Sequence, residues 1–156
     1  LKHLDYKIND SHIKTGLSNV SNNTGLQGRW QVIQRKPMII CDTAHNEAAL
    51  REVISQLIDM EYSDLHFIIG FSNDKNLKKI SKIFPEDSKY YFVQSKVGRA
   101  RDAKEVRDIF KLNNRCGDYY KSIENTIKYV KGVSKENDII FIGGSTFVVS
   151  EIFEKN

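Results

Sequence analysis

The chain is poor in cysteine and proline and has no long apolar run. Two of its 156 residues are cysteines, Cys41 and Cys116. That is too few for a disulfide framework or a cysteine metal site, and it points to a reducing compartment, the cytoplasm. Cys41 lies in an apolar stretch and reads as a small buried hydrophobe. No segment is apolar for long enough to span a bilayer, and the first residues carry no signal-peptide pattern. There is no G-x-x-x-x-G-K-[ST] phosphate loop, zinc spacing, internal repeat or low-complexity stretch, and no carboxylate pair suited to acid–base work. The net charge of +4 comes from 24 basic and 20 acidic residues. Such a bias can serve to hold ATP or a polyanionic substrate, but the signs alternate along the chain, which favours a solvated lysine-rich surface. Without a basic stripe interleaved with aromatics, nucleic acid is not an expected partner.

What is present, 40% hydrophobic and 28% charged residues, suits one globular domain with a real core. Residues 1–24 are polar, with Leu4, Tyr6, Ile8, Ile13 and Leu17 sprinkled among them. They read as an interdomain connection with one short helix, followed by a loop at 18–24. The chain begins at Leu1 rather than Met, as expected of a fragment cut at a domain boundary. Residues 25–156 then form the domain. Strands are expected at 29–34 and 38–41, antiparallel about the Arg35-Lys36-Pro37 turn. Further strands are expected at 65–70, 89–93 and 138–142. Helices are expected at 46–60, 77–84 (stopped by Pro85), 102–112, 122–133 and 145–153, with 113–118 a polar break around Gly117. This alternation predicts an α/β fold: a Rossmann-like, doubly wound, mainly parallel sheet with an antiparallel strand near one edge.

The richest stretch is GLQGRWQVIQRKPMIICDTAHN, residues 25–46. Its apolar run ends in Asp42, and His45-Asn46 opens a helix. A carboxylate at the carboxyl end of a buried strand, just before a helix start, lies where open α/β sheets place their ligands. Arg29, one strand earlier, can reach the same edge. Asp42 can equally serve as a cap for the helix that follows. Gly143-Gly144-Ser145 repeats the choice: an anion-binding turn, or a tight turn with Ser145 as N-cap. Asp74 and Lys75 follow another strand, as a ligand contact or a charged loop, and Arg99 leaves the same alternatives open. His3 and His12 have no partners at ligand spacing. His66, inside an apolar strand, reads as a satisfied core histidine. Tyr90-Tyr91 and Tyr119-Tyr120 read as packing.

These residues resemble a family. Leu26, Gly28, Arg29, Trp30 and Val32, then Asp42, Ala44, His45 and Asn46, follow the pattern L-x-G-R-[WFL]-x-[VI]…D-x-A-H-N. That pattern is similar to the carboxy-terminal domain of folylpolyglutamate synthase/dihydrofolate synthase, in the Mur ligase superfamily. GFSNDKN at 70–76, Arg99-Ala100 and DIIFIGGSTF at 138–147 continue the likeness in order. The resemblance implies an ATP-dependent ligase that adds L-glutamate to dihydropteroate or folates through an acyl phosphate. Arg29, Asp42 and Asn46 would bind ATP, with Arg29 on phosphates and Asp42 on ribose. His45 would be catalytic, near the incoming amino acid, and Ser145, His45 and Lys75 would contact substrate. The phosphate loop and the Mg2+ ligands would belong to a preceding ATPase domain, without which this chain would be inactive. Thr43 and Glu47 replace a family glycine and proline, and Gly98 stands where proline is common. A UDP-muramoyl amino-acid ligase shares the Arg…Asp-x-x-His-Asn spacing, but the wording around Trp30 favours the folate branch. A non-catalytic, receiver-like regulatory module ranks lower, because no acidic pair precedes Asp42 at a first strand.

Overall fold

A computed structural model describes residues 6–154, so His3 and Leu4 lie outside the described residues. The first elements among the described residues are α1 (Asp10–Ser18) and α2 (Val20–Thr24), neither of which buries a residue. The second helix corrects the loop expected at 18–24. Its C-terminus is closed by Gly25 in the left-handed region, φ 68°.

Next come β1 (Gln31–Arg35), β2 (Met38–Cys41), α3 (Glu47–Ile58), β3 (Leu65–Ile69), α4 (Leu77–Ile80, continued by a 3₁₀ turn at Ser81–Ile83) and β4 (Lys89–Val93). They are followed by α5 (Ala103–Lys111), β5 (Gly117–Tyr120), α6 (Ile123–Val133), β6 (Ile139–Gly143) and α7 (Thr146–Phe153). The six strands lie in the order β1-β2-β6-β3-β4-β5. β1 pairs antiparallel with β2, and every other pairing is parallel. The expected mainly parallel sheet with one antiparallel edge strand is therefore observed.

The strand sequences explain their places. β3 (LHFII) and β6 (IIFIG) are buried at every position, as central strands covered on both faces must be. β1 is half exposed, and its register shifts between Val32 and Gln34, so it alternates imperfectly and stays at the edge. β5 corrects the polar break expected at 113–118. Its residues GDYY have weak strand character, and pairing with β4 brings them into the sheet.

The helices split between the two faces. Leu50, Ile54 and Leu57 of α3 and Val106 and Phe110 of α5 pack with Phe67, Tyr90, Phe92 and Phe141 on one side. Ile123 and Val130 of α6 and Val148 and Val149 of α7 pack with Ile39, Ile68, Tyr91 and Ile142 on the other. Tyr90 stacks between Phe67 and Phe92, with centroids 5.4 and 6.0 Å away. Tyr91 and Tyr120 meet at 6.0 Å and pack as expected, whereas Tyr119 is exposed, with the Arg107 guanidinium over its ring. Such ring pairs contribute about 0.5–1.5 kcal/mol each beyond area burial.

Candidate functional site

The site follows from this winding. β2 feeds α3 on one face of the sheet, while its neighbour β6 feeds α7 on the other. Their carboxyl ends therefore part, and a crevice opens where ligands of open α/β sheets bind.

Asp42 ends β2 in this crevice and is 6% exposed. One carboxylate oxygen accepts from the Trp30 amide at 2.6 Å and the other from the Ala44 amide at 2.7 Å. The Thr43 amide donates to the Gly28 carbonyl at 2.8 Å. The turn at 28–30 is thereby bracketed against 42–44. Gly28 (φ 70°) and Trp30 (φ 43°) both sit in the left-handed region. A Cβ on Gly28 would stand 2.8 Å from Thr43 Cγ2 and from Val149 Cγ1. Arg29, between them, is exposed, with no hydrogen bond or ion pair among the described residues. It precedes β1 rather than opening it, which corrects the expected strand start.

His45 is half-buried, and its Nδ1 lies 2.9 Å from the Thr43 carbonyl. A carbonyl only accepts, so Nδ1 carries a proton and Nε2 faces away from this contact. Asn46 is the N-cap of α3: its side-chain oxygen accepts from the Ala49 amide at 2.9 Å. Asp42 is thus a clasp between loops, and Asn46 does the capping.

Across the crevice, Ser145 is 3% exposed and caps α7, its Oγ accepting from the Phe147 amide at 3.2 Å. Gly144 before it has φ 84°, and a Cβ there would meet the Gly70 carbonyl oxygen at 2.8 Å. The turn thus needs a residue without a side chain. The loop after β3 continues the rim. Lys75 Nζ holds Asp74 at 2.8 Å, and this hydrogen bond is the main cause that lowers the Asp74 carboxyl pKa below its ordinary value.

Arg99 and Arg101 were the least readable parts of this edge. The Asn73 amide donates to the Arg99 carbonyl at 3.0 Å and the Arg101 amide to the Phe71 carbonyl at 2.8 Å, stitching the loops after β3 and β4 together. The Arg101 guanidinium binds the carbonyls of Asn73 and Lys75 and pairs with Glu105. Its contacts are long-range, and no local pattern announces them. The Arg99 guanidinium stands over the Phe147 ring, 4.4 Å from its centroid, at the start of α7. Arg29, Asp42, His45, Asn46, Lys75, Arg99 and Ser145 therefore all lie at the carboxyl edge of the sheet.

A second titratable cluster sits at the opposite edge. His66 is fully buried, with Nε2 3.2 Å from Asp138 Oδ2 and Nδ1 3.2 Å from the Tyr91 hydroxyl. Asp138 also accepts from the amides of Asp64 at 3.1 Å and Lys135 at 2.8 Å. Asp64 lies near enough to join a three-residue ligand set. However, Lys89 Nζ holds Asp64 at 2.9 Å, and Asp138 is already engaged by two amides and by His66, which makes this a clasp fastening the start of β3 to β6. His66 is the satisfied core histidine its setting suggested. Burial pushes its pKa below 6.5, against the raising pull of Asp138.

Comparison with known proteins agrees with this architecture. Residues 28–146 match the family described as Mur ligase, glutamate ligase domain. The dihydrofolate synthase/folylpolyglutamate synthase of Buchnera aphidicola subsp. Schizaphis graminum is 30% identical over 149 residues, covering 93% of this chain and 34% of that protein. The crystal structure of the bifunctional folylpolyglutamate synthase/dihydrofolate synthase of Yersinia pestis CO92 superposes with a TM-score of 0.81 at 20% identity, covering 97% of this chain and 35% of that one. A bifunctional folylpolyglutamate synthase/dihydrofolate synthase solved with Mn, AMPPNP and L-glutamate bound also gives 0.81 at 20% identity, with 97% and 36% covered. The chain thus spans about a third of the length of these relatives. No helix among the described residues is long and apolar enough to cross a membrane.

Proposed function

The chain belongs to the Mur ligase family, glutamate ligase domain, and from that premise we propose that it is the carboxy-terminal part of a cytoplasmic ATP-dependent ligase. The ligase adds L-glutamate to dihydropteroate or folates. Residues 1–24 are the connection from a preceding ATPase domain, residues 25–156 close over the shared site, and the chain is inactive alone. The observation that carries this reading is Arg29: a partner-free guanidinium on a turn that Asp42 and Thr43 pin to the rim of the crevice.

The acceptor's carboxylate oxygen attacks the γ-phosphorus of ATP, the bond to the β-phosphate oxygen breaks, and ADP leaves an acyl phosphate behind. The amine of L-glutamate attacks the carbonyl carbon, the C–N bond forms, and phosphate leaves with the electrons of the C–O bond. The relative solved with AMPPNP and L-glutamate holds both kinds of ligand this scheme needs. On this chain, Arg29 forks onto phosphate oxygens. Each Asp42 oxygen keeps one lone pair beyond its amide, directed to ribose hydroxyls. Asn46 has its oxygen committed to the cap and offers its NH2 group to phosphate. His45 Nε2 accepts the proton that the glutamate ammonium must lose before it attacks. Ser145 Oγ, already accepting from Phe147, donates its hydroxyl proton to a glutamate carboxylate, and Lys75, exchanging Asp74 for the ligand, supplies positive charge from the loop after β3.

The carboxylates of this edge do not form a magnesium cradle. Asp42 is held by amides, Asp74 by Lys75 and Glu47 by Arg51. The Mg2+ ligands would belong to the preceding domain, where the metal would neutralise charge on the transferred phosphoryl group.

Titrating the isotopically labelled chain with ATP and following backbone amides tests the reading. Shifts should centre on residues 28–30, 42–46 and 143–146. Arg29→Ala should weaken binding about tenfold, with unfolding stability unchanged to within about 0.5 kcal/mol. Unchanged affinity in that variant, or shifts confined to another part of the surface, would refute it.

A further inference from the structure

We propose that a lysine-rimmed groove between α6 and α7 holds the γ-linked glutamyl chain of an already extended acceptor, an inference that rests on the ligase reading above. The groove encloses about 370 Å³. Ile123, Ile127 and Ile152 form its apolar part, and Lys96, Lys121 and Lys131 carry its charge.

Charge accounting identifies the occupant. Among the described residues, none of the ammonium groups of Lys96, Lys121 and Lys131 has a hydrogen-bond or ion-pair partner. Lys128 pairs with Glu124 at 2.8 Å. Glu151 accepts only the neutral Lys96 amide, at 2.6 Å, and keeps its negative charge. Four lysines against two glutamates still leave the lining with an excess of two positive charges, so the complementary ligand is a polyanion. A γ-linked glutamyl chain matches both halves of the lining: its methylene pairs lie on the isoleucines, and the free α-carboxylate of each unit meets a lysine. Nucleic acid fits less well, because the groove has no aromatic ring on which a base could stack.

Position supports the assignment. Lys96 follows β4 and Lys121 follows β5, so the groove opens on the same edge of the sheet as the crevice. Lys96 also lines an adjoining cavity of about 540 Å³ that reaches Thr146 and Phe147, next to Ser145. Glu154 is an opposing charge on that stretch, so the hold on an anion comes from Lys96 and beyond. A path thus runs from the start of α7 to Lys131, suited to an acceptor whose tail grows by one unit per cycle.

The labelled 156-residue chain, titrated with γ-linked tetraglutamate and separately with L-glutamate, tests this. Tetraglutamate should shift amides at 96 and 121–131, and free glutamate at the same concentration should leave them in place. Lys121→Ala with Lys131→Ala, both exposed, should keep the remaining spectrum and weaken tetraglutamate binding about tenfold. No shifts in the groove, or equal affinity in the double variant, overturns the proposal. ATP titration of the same samples separates the two readings. ATP shifts without tetraglutamate shifts sink the groove alone. Tetraglutamate shifts without ATP shifts sink the ligase reading and leave a polycarboxylate groove.

Discussion

The Asp42 carboxylate accepts the Trp30 amide at 2.6 Å across twelve positions of chain, and its second oxygen takes the Ala44 amide at 2.7 Å. One side chain therefore ties the turn that presents Arg29 to the loop that presents His45. A carboxylate accepting from amides is a stronger tie than a neutral pair. Here it acts where the chain has little other reason to keep its path, because Trp30 itself has φ 43°.

Asp42→Ala removes both acceptors at once and leaves two amides in or near the crevice without partners. Stability should fall by about 2–4 kcal/mol in urea unfolding. Asp42→Asn keeps one acceptor but turns an NH2 group toward the other amide, and should cost about 1–3 kcal/mol. Faster hydrogen exchange at Trp30 and Ala44 should accompany both. Wild-type protection at those amides would show that the tie does not hold the loops.

Gly28→Ala places a Cβ against Thr43 Cγ2 and Val149 Cγ1 at 2.8 Å, on a backbone with φ 70°. The new methyl can be relieved only by turning the Thr43 and Val149 side chains or by moving α7 or the 42–44 loop, both of which line the crevice. The expected cost is about 1–3 kcal/mol, with ATP affinity reduced alongside. Gly25→Ala also has a positive φ, 68°, but nothing within 4 Å of its Cβ. It serves as the control for backbone strain without a clash.

His66 makes stability depend on pH in a definite direction. Its folded-state pKa lies below the ordinary 6.5, chiefly because it is buried. The unfolded chain therefore takes up the proton first on acidification. Stability contributed by the neutral ring is present above pH 6.5 and is lost as pH falls from there toward the folded-state value. Urea unfolding from about pH 8 to about pH 5.5 should show this decline, and His66→Gln should flatten it. A wild-type curve that rises on acidification over that range would contradict the assignment.

Much of this was legible in the sequence because it is local. The run Met38–Cys41 is apolar and ends in Asp42, and the structure gives that strand the same limits. Asn46, Asp102, Ser122 and Ser145 all precede apolar-periodic segments, and all accept from first-turn amides. What escaped was set by distant contacts. β5 exists because Tyr90 to Val93 lend it a partner, despite a Gly and an Asp in its four residues. α2 is too short to show periodicity, and only Gly25 at its end hinted at it. Residues at the crevice were named from type and spacing, but the clasp by Asp42 depends on the φ of Trp30, which no pattern of residue types encodes.

Cys41 offers a way to time the opening of the crevice. It is fully buried in β2, and burial, aided by the neighbouring Asp42 charge, pushes its thiol up to about 12. At about pH 8 the thiol stays protonated, and a reagent cannot reach it in the closed fold. Cys116 is exposed. A disulfide-exchange reagent should therefore titrate one thiol of the folded chain promptly and the second only after unfolding. The slow phase measures how often β2 comes free of its neighbours. Because Asp42 fastens the end of that strand, Asp42→Ala should quicken the slow phase about tenfold or more while Cys116 reacts at its former rate. Two prompt thiols in the wild-type chain would mean that β2 is open to solvent and that the crevice is not held as described.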